Sequence, residues 1–143
     1  MYKLLTGLII STCNIIILKF YFQDQVISKS LETYNKKYNT NIESLKPLQT
    51  DSLKKLINGS DVLAILPTGY GKSLLYEITP ITYSQMEYRD IFVLILVPLN
   101  IILTQQTNKL GKEAGVLKSP VPRDVYDKLV KGEVTHLFLI QKT

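Results

Sequence analysis

The apolar positions change period several times along the chain. Residues 4–18 are apolar except at Thr6, Ser11, Thr12 and Asn14, with Lys3 before the run and Lys19 after it. A polar stretch rich in Asn, Tyr and Lys follows. Within it Val26, Ile27, Leu31 and Tyr34 fall at helical spacing until Asn39-Thr40-Asn41 breaks the pattern, which predicts a helix and then a loop. From Leu48 the positions Leu53, Leu56 and Ile57 share a face, Lys54 and Lys55 lie off it, and Asn58-Gly59 supplies a stop signal, so a second helix is expected. After this the chain alternates. Residues 62–66 (VLAIL) and 91–97 (IFVLILV) are short apolar runs expected to be strands buried on both faces, and residues 134–140 (VTHLFLI) predict a third strand. Helices are expected from Ser73 to about Ile78, over residues 100–110 with Ile101, Ile102 and Leu110, and around Val125, Leu129 and Val130, with a polar stretch at 111–118. Apolar strands alternating with helices imply an α/β fold: a parallel sheet, right-handed crossovers and helices on both faces.

At 143 residues the chain has room for one domain with a proper core. Lysine and arginine number 17 against 12 acidic residues, a net charge of +5. The basic residues are dispersed, which suits a polyanionic partner without requiring one. Cys13 is the only cysteine, so no disulfide partner exists within the chain and a cysteine-rich zinc site is excluded. The run at 4–18 is shorter than the roughly twenty residues of a membrane span, and no small-residue cleavage site follows it. Three readings stay open for residues 1–22: a membrane anchor, an apolar helix packed on the domain, or an unrelated extension.

The candidate chemistry lies in Leu66-Pro67-Thr68-Gly69-Tyr70-Gly71-Lys72-Ser73, between an expected strand and an expected helix. A phosphate held there needs inward-pointing backbone N–H groups, glycines that keep Cβ atoms out of the way, and a helix N-terminus behind. Gly69 and Gly71 meet the second need. Lys72 can reach the β- and γ-phosphates of ATP, and the Ser73 hydroxyl can ligate the Mg²⁺ that bridges them. Thr68 and Tyr70 are expected to contribute N–H groups more than side-chain chemistry. The strict fingerprint has glycine where this chain has Leu66. The competing reading is a glycine-rich turn that happens to end in Lys-Ser.

The form x-Pro-Thr-Gly-x-Gly-Lys-Ser, within DVLAILPTGYGKSLLYEITP, resembles the first motif of the RecQ-like DNA helicases of superfamily two. LKPLQ at 45–49 resembles that family's adenine-recognition motif, and VLILVPLNIILTQQTNKL at 93–110 resembles its next motif. The resemblance covers roughly residues 26–140 and implies a RecA-like P-loop fold. By the same resemblance Gln49 reads the adenine edge, for which an amide has the matching donor and acceptor. Lys46 stands where the family has an arginine, keeping the charge but not the planar stacking surface. For the family's stacking aromatic, Tyr38 and Ile42 are the nearest candidates. Pro98, Leu99 and Gln106 are implied to lie along single-stranded or partly duplex DNA.

Hydrolysis in such helicases uses an Asp-Glu-x-His motif at the end of a buried strand, and no strand here ends that way. The resemblance thus implies residues 23–143 as a partial ATP-binding domain of a DNA helicase, by family nuclear, 3′–5′ and acting in repair or recombination, and the missing motif adds the expectation that it is cut before those carboxylates. The alternative is a non-catalytic nucleotide- or DNA-binding module that competes or partners with a complete helicase. Glu77 is expected on a solvated helix face, and His136 as a satisfied structural histidine.

Overall fold

The computed structural model describes residues 12–97 and 100–140. A long first helix, α1 (Thr12–Tyr38), takes up the end of the apolar N-terminal run and all of the spaced positions after it. Of the run at 4–18, for which a membrane anchor is one of three open readings, residues 4–11 lie outside the described residues; among the described residues no helix is long and apolar enough to cross a membrane. Asn39 ends α1 in the left-handed region (φ 51°), a conformation asparagine tolerates better than most residues. Helix α2 (Pro47–Ile57) begins with proline in its first turn, where the missing N–H costs nothing, and ends at Asn58. Helix α3 (Lys72–Gln85) starts directly on the glycine loop and runs a full turn and more beyond the expected Ile78, through Pro80.

Strand β1 (Val93–Val97), helix α4 (Asn100–Leu110), strand β2 (Ala114–Leu117), helix α5 (Arg123–Val130) and strand β3 (His136–Ile140) complete the order. The three strands form one parallel sheet in the order β1-β3-β2, with Val93 and Ala114 both aligned on His136. The α/β expectation holds. On one face of the sheet Ile95, Val97 and Phe138 pack with Leu110 of α4 and Tyr76 of α3. On the other, Gly115 of β2 is within close range of Leu137 and of Val125 from α5, so this face is covered at β2 and β3. A separate core joins α1, α2 and α3 through Ile27, Leu31, Tyr34, Leu53, Ile78 and Ile81.

Three strand expectations are corrected. Residues 62–66 form no strand: Leu63 and Ile65 are 90% and 85% exposed, and the segment has no ladder partner among the described residues. An apolar, β-prone run becomes a strand only where a neighbour offers hydrogen bonds, and β3 pairs on its two sides with β1 and β2. The stretch at 111–118, read only as polar, contains β2, whose short Ala-Gly-Val-Leu run is fixed by pairing with β3. Strand β1 is buried on one face only, since Leu94 and Leu96 are 52% and 64% exposed.

Candidate nucleotide-binding site

The glycine loop turns twice through backbone conformations that favour glycine. Gly69 has φ 77° and Gly71 φ 94°, both in the left-handed half of conformational space. A Cβ on Gly69 would meet nothing within 4 Å, so its role is conformational, whereas a Cβ on Gly71 would stand 2.7 Å from Gln49 Nε2. Gly71 is the N-cap of α3, and its carbonyl accepts the Leu74 N–H at 3.2 Å. The first N–H groups of this 14-residue helix and its dipole therefore face the loop, and Lys72 is exposed at the same point. Thr68 and Pro67 are exposed in the loop as well.

Helix α2 holds the loop from the side. The Gln49 side chain is 3% exposed and its amide is fully engaged: Nε2 donates to the Tyr70 carbonyl at 3.1 Å and to the Gly71 carbonyl at 3.0 Å. Its Oε1 accepts the Lys46 backbone N–H at 2.9 Å, a side chain at the third helical position reaching back to satisfy the N-cap donor. Lys46 Nζ donates to the Tyr70 carbonyl at 3.1 Å and lies 4.7 Å from the centre of the Tyr70 ring. The Tyr70 hydroxyl accepts the Leu48 N–H at 3.3 Å. Thus Lys46, Gln49, Tyr70 and Gly71, which the sequence places in two separate motifs, meet in one corner. Contrary to expectation, the Tyr70 side chain takes part; the signal was its position between two glycines whose backbone turns it toward α2.

Ser73, the expected magnesium ligand, lies 3.4 Å from Gln106 Nε2 on α4, so the loop helix and the third motif touch here. Pro98 and Leu99, expected along DNA, lie outside the described residues. Tyr38 and Ile42 are not at the corner: the Tyr38 hydroxyl donates to Glu113 at 2.9 Å with its ring against Tyr34, and Ile42 packs on the α1–α3 core.

One turn along from Ser73 the structure corrects the sequence reading of Glu77. It is 0% exposed, accepts hydrogen bonds from the Tyr34 hydroxyl and from Lys109 Nζ (2.6 Å), and its other oxygen is buried without a partner. Burial, and after it the hydrogen-bonded Glu77 carboxylate, pushes the Tyr34 phenol well above its ordinary range. Sequence missed Lys109 and Tyr34 as partners because helical spacing alone does not say which face meets another helix.

His136 is 1% exposed, with the structural role expected for it. Pro80 has no N–H to give the carbonyl four residues back, Tyr76, and His136 Nε2 donates to that carbonyl at 3.1 Å instead. A donating Nε2 leaves Nδ1 as an acceptor, for the Thr135 hydroxyl at 2.9 Å. Burial lowers the pKa of the ring, opposed in part by the Tyr76 carbonyl, Glu113 and Glu77.

A glycine loop between an apolar segment and a helix N-terminus, beside a parallel sheet, defines a RecA-like P-loop domain, of which three strands are described here. Residues 46–136 match the DEAD/DEAH box helicase family, and the chain belongs to that ATP-using family. Among curated proteins it is similar to ATP-dependent DNA helicase RecQ of Haemophilus influenzae, 29% identical over 104 residues that cover 68% of this chain and 16% of the relative. It is likewise similar to ATP-dependent DNA helicase Q4 of Mus musculus, 27% identical over 121 residues covering 81% of this chain and 10% of the relative. ATP-dependent DNA helicase Q-like 4B of Arabidopsis thaliana is 41% identical over 51 residues, 36% of this chain and 4% of the relative. The chain thus spans a small part, 16% or less, of the curated relatives it matches. No solved structure matches it significantly.

Proposed function

We propose that this chain is the ATP-binding part of a nuclear ATP-dependent DNA helicase that moves 3′–5′ in repair or recombination. The observation that carries the reading is the loop: two glycines in left-handed conformations ahead of α3, with Lys72 exposed at the helix start and Gln49 clasping the loop backbone. Backbone N–H groups of the loop and α3 hold the phosphates, and Lys72 meets the β- and γ-oxygens. The open cradle at Gly69 and the Ser73 hydroxyl fit a Mg²⁺ ion bound with the triphosphate, held by Ser73. When bound, that ion neutralises charge on the β- and γ-phosphates.

Gln49 recognises adenine by exchanging one of its two loop carbonyls for the base, since both amide hydrogens are engaged. Gln106, joined to Ser73, lies toward single-stranded or partly duplex DNA, the partner that the resemblance also implies for Pro98 and Leu99, and the net positive charge fits it. The test is equilibrium binding of ATP with Mg²⁺ to the full chain and to Lys72→Ala. Loss of a point charge on the phosphates is expected to weaken binding at least about tenfold. An unchanged affinity would sink the reading.

A further inference from the structure

We propose that Tyr70 is the base-contacting residue of this site, its ring forming the aromatic face on which the purine stacks beside Lys46 and Gln49. The proposal rests on the nucleotide-binding reading and deepens it. Tyr70 sits between two left-handed glycines, and its ring leaves the phosphate cradle for the start of α2. There it meets the two side chains whose chemistry suits a purine: the Gln49 amide, which can match a donor and an acceptor on the base edge, and the Lys46 ammonium, 4.7 Å from the ring centre.

A flat base needs a flat neighbour, and a lysine at position 46 does not offer one. The aromatic and apolar residues that precede α2 are committed elsewhere. Tyr38 is hydrogen-bonded to Glu113 with its ring tilted against Tyr34 at 4.8 Å, and Ile42 is packed in the helical core. Tyr70 is half-buried rather than sealed in the core. Because it belongs to the loop itself, a base whose phosphates sit on that loop lies within one nucleotide's length of it.

A purely structural Tyr70 would act differently, latching the loop to α2 through its hydroxyl and the Leu48 N–H. Two ligands separate the roles: ATP with Mg²⁺, which has a base, and inorganic tripolyphosphate with Mg²⁺, which has none. For Tyr70→Ala, stacking energies imply ATP binding weakened about 5- to 100-fold with tripolyphosphate binding unchanged. Tyr70→Phe keeps the ring and is expected within about twofold of the parent on both ligands. The chain has no tryptophan, so Tyr70→Trp introduces a single indole whose emission ATP should quench and tripolyphosphate should not.

Equal loss of both ligands in Tyr70→Ala, no loss of either, or a Tyr70→Phe defect as large as that of Tyr70→Ala would each overturn the proposal. Should Tyr70→Ala fail to fold by circular dichroism, the indole decides: no ATP-specific quenching overturns it. Lys72→Ala serves as the control on the underlying reading, because it must weaken both ligands. If tripolyphosphate binds that variant as well as the parent, the phosphate-loop reading falls and this proposal falls with it.

Discussion

Pro80 and His136 are separated by most of the domain, yet one creates the need that the other fills. The Tyr76 carbonyl, deprived of its helical donor, would cost on the order of 1–3 kcal/mol if buried unpaired; His136 Nε2 supplies the missing bond, and Nδ1, an acceptor only in the neutral ring, takes the Thr135 hydroxyl. Burial lowers the folded-state pKa of His136 below its ordinary 6.5. The unfolded chain therefore takes up a proton near 6.5 that the folded chain resists. The stability so contributed is complete above that pH and is lost as pH falls toward the folded value. His136→Gln, which can still donate to the Tyr76 carbonyl but does not titrate, should flatten the fall in urea-unfolding free energy between about pH 7 and 5. Parallel curves for parent and variant would refute the assignment. At this scale the phosphate loop was legible in the sequence, because glycine spacing and the adjacent Lys-Ser are local chemistry. The burial of Glu77 was not, because its partners Tyr34 and Lys109 lie 43 and 32 positions away.

Between elements, α3 and α4 are joined by two polar contacts one turn apart, Ser73 with Gln106 and Glu77 with Lys109. The second is the stronger. Glu77 is fully buried while the Lys109 side chain is 42% exposed, so the pair stands between a surface ion pair and a buried one. Removing Lys109 alone leaves a buried carboxylate with Tyr34 as its remaining hydrogen-bond partner. Lys109→Met should lower stability by about 2 kcal/mol, less than the loss for a fully buried pair and more than for an exposed one. Adding Glu77→Gln removes the stranded charge and keeps an acceptor for Tyr34, so the double variant should regain part of the loss in urea titrations. A double variant less stable than Lys109→Met would contradict this account. Helices were legible at this scale because each shows its own 3.6-residue period. Strands were less so. A strand's existence depends on a partner, and neither the weak Ala-Gly-Val-Leu of β2 nor the apolar residues 62–66 carries information about who pairs with β3.

For the molecule as a whole, the described residues leave one side of the sheet open where α5 does not reach. Leu94 and Leu96 face outward from β1, an edge strand whose second side has no partner among the described residues, and Leu63 and Ile65 are almost fully exposed. An unpaired edge with apolar side chains is a template for association with another chain, and like-charge repulsion opposes it only weakly at physiological salt. The net charge of +5 acts as such a repulsion, so association should grow as salt is raised. The isolated chain is therefore expected to elute above its monomer mass in size exclusion with light scattering, increasingly so between low and physiological ionic strength. Leu94→Thr with Leu96→Thr keeps β-propensity while removing apolar surface, and should shift the chain toward monomer without altering its circular dichroism. Both leucines are exposed on β1, outside the loop residues 66–73, so ATP affinity should stay unchanged in this variant. A parent that is monomeric at all salt concentrations would show that the open face is not adhesive. A double variant that remains associated would place the adhesive surface elsewhere, with exposed Leu63 and Ile65 the next positions to replace.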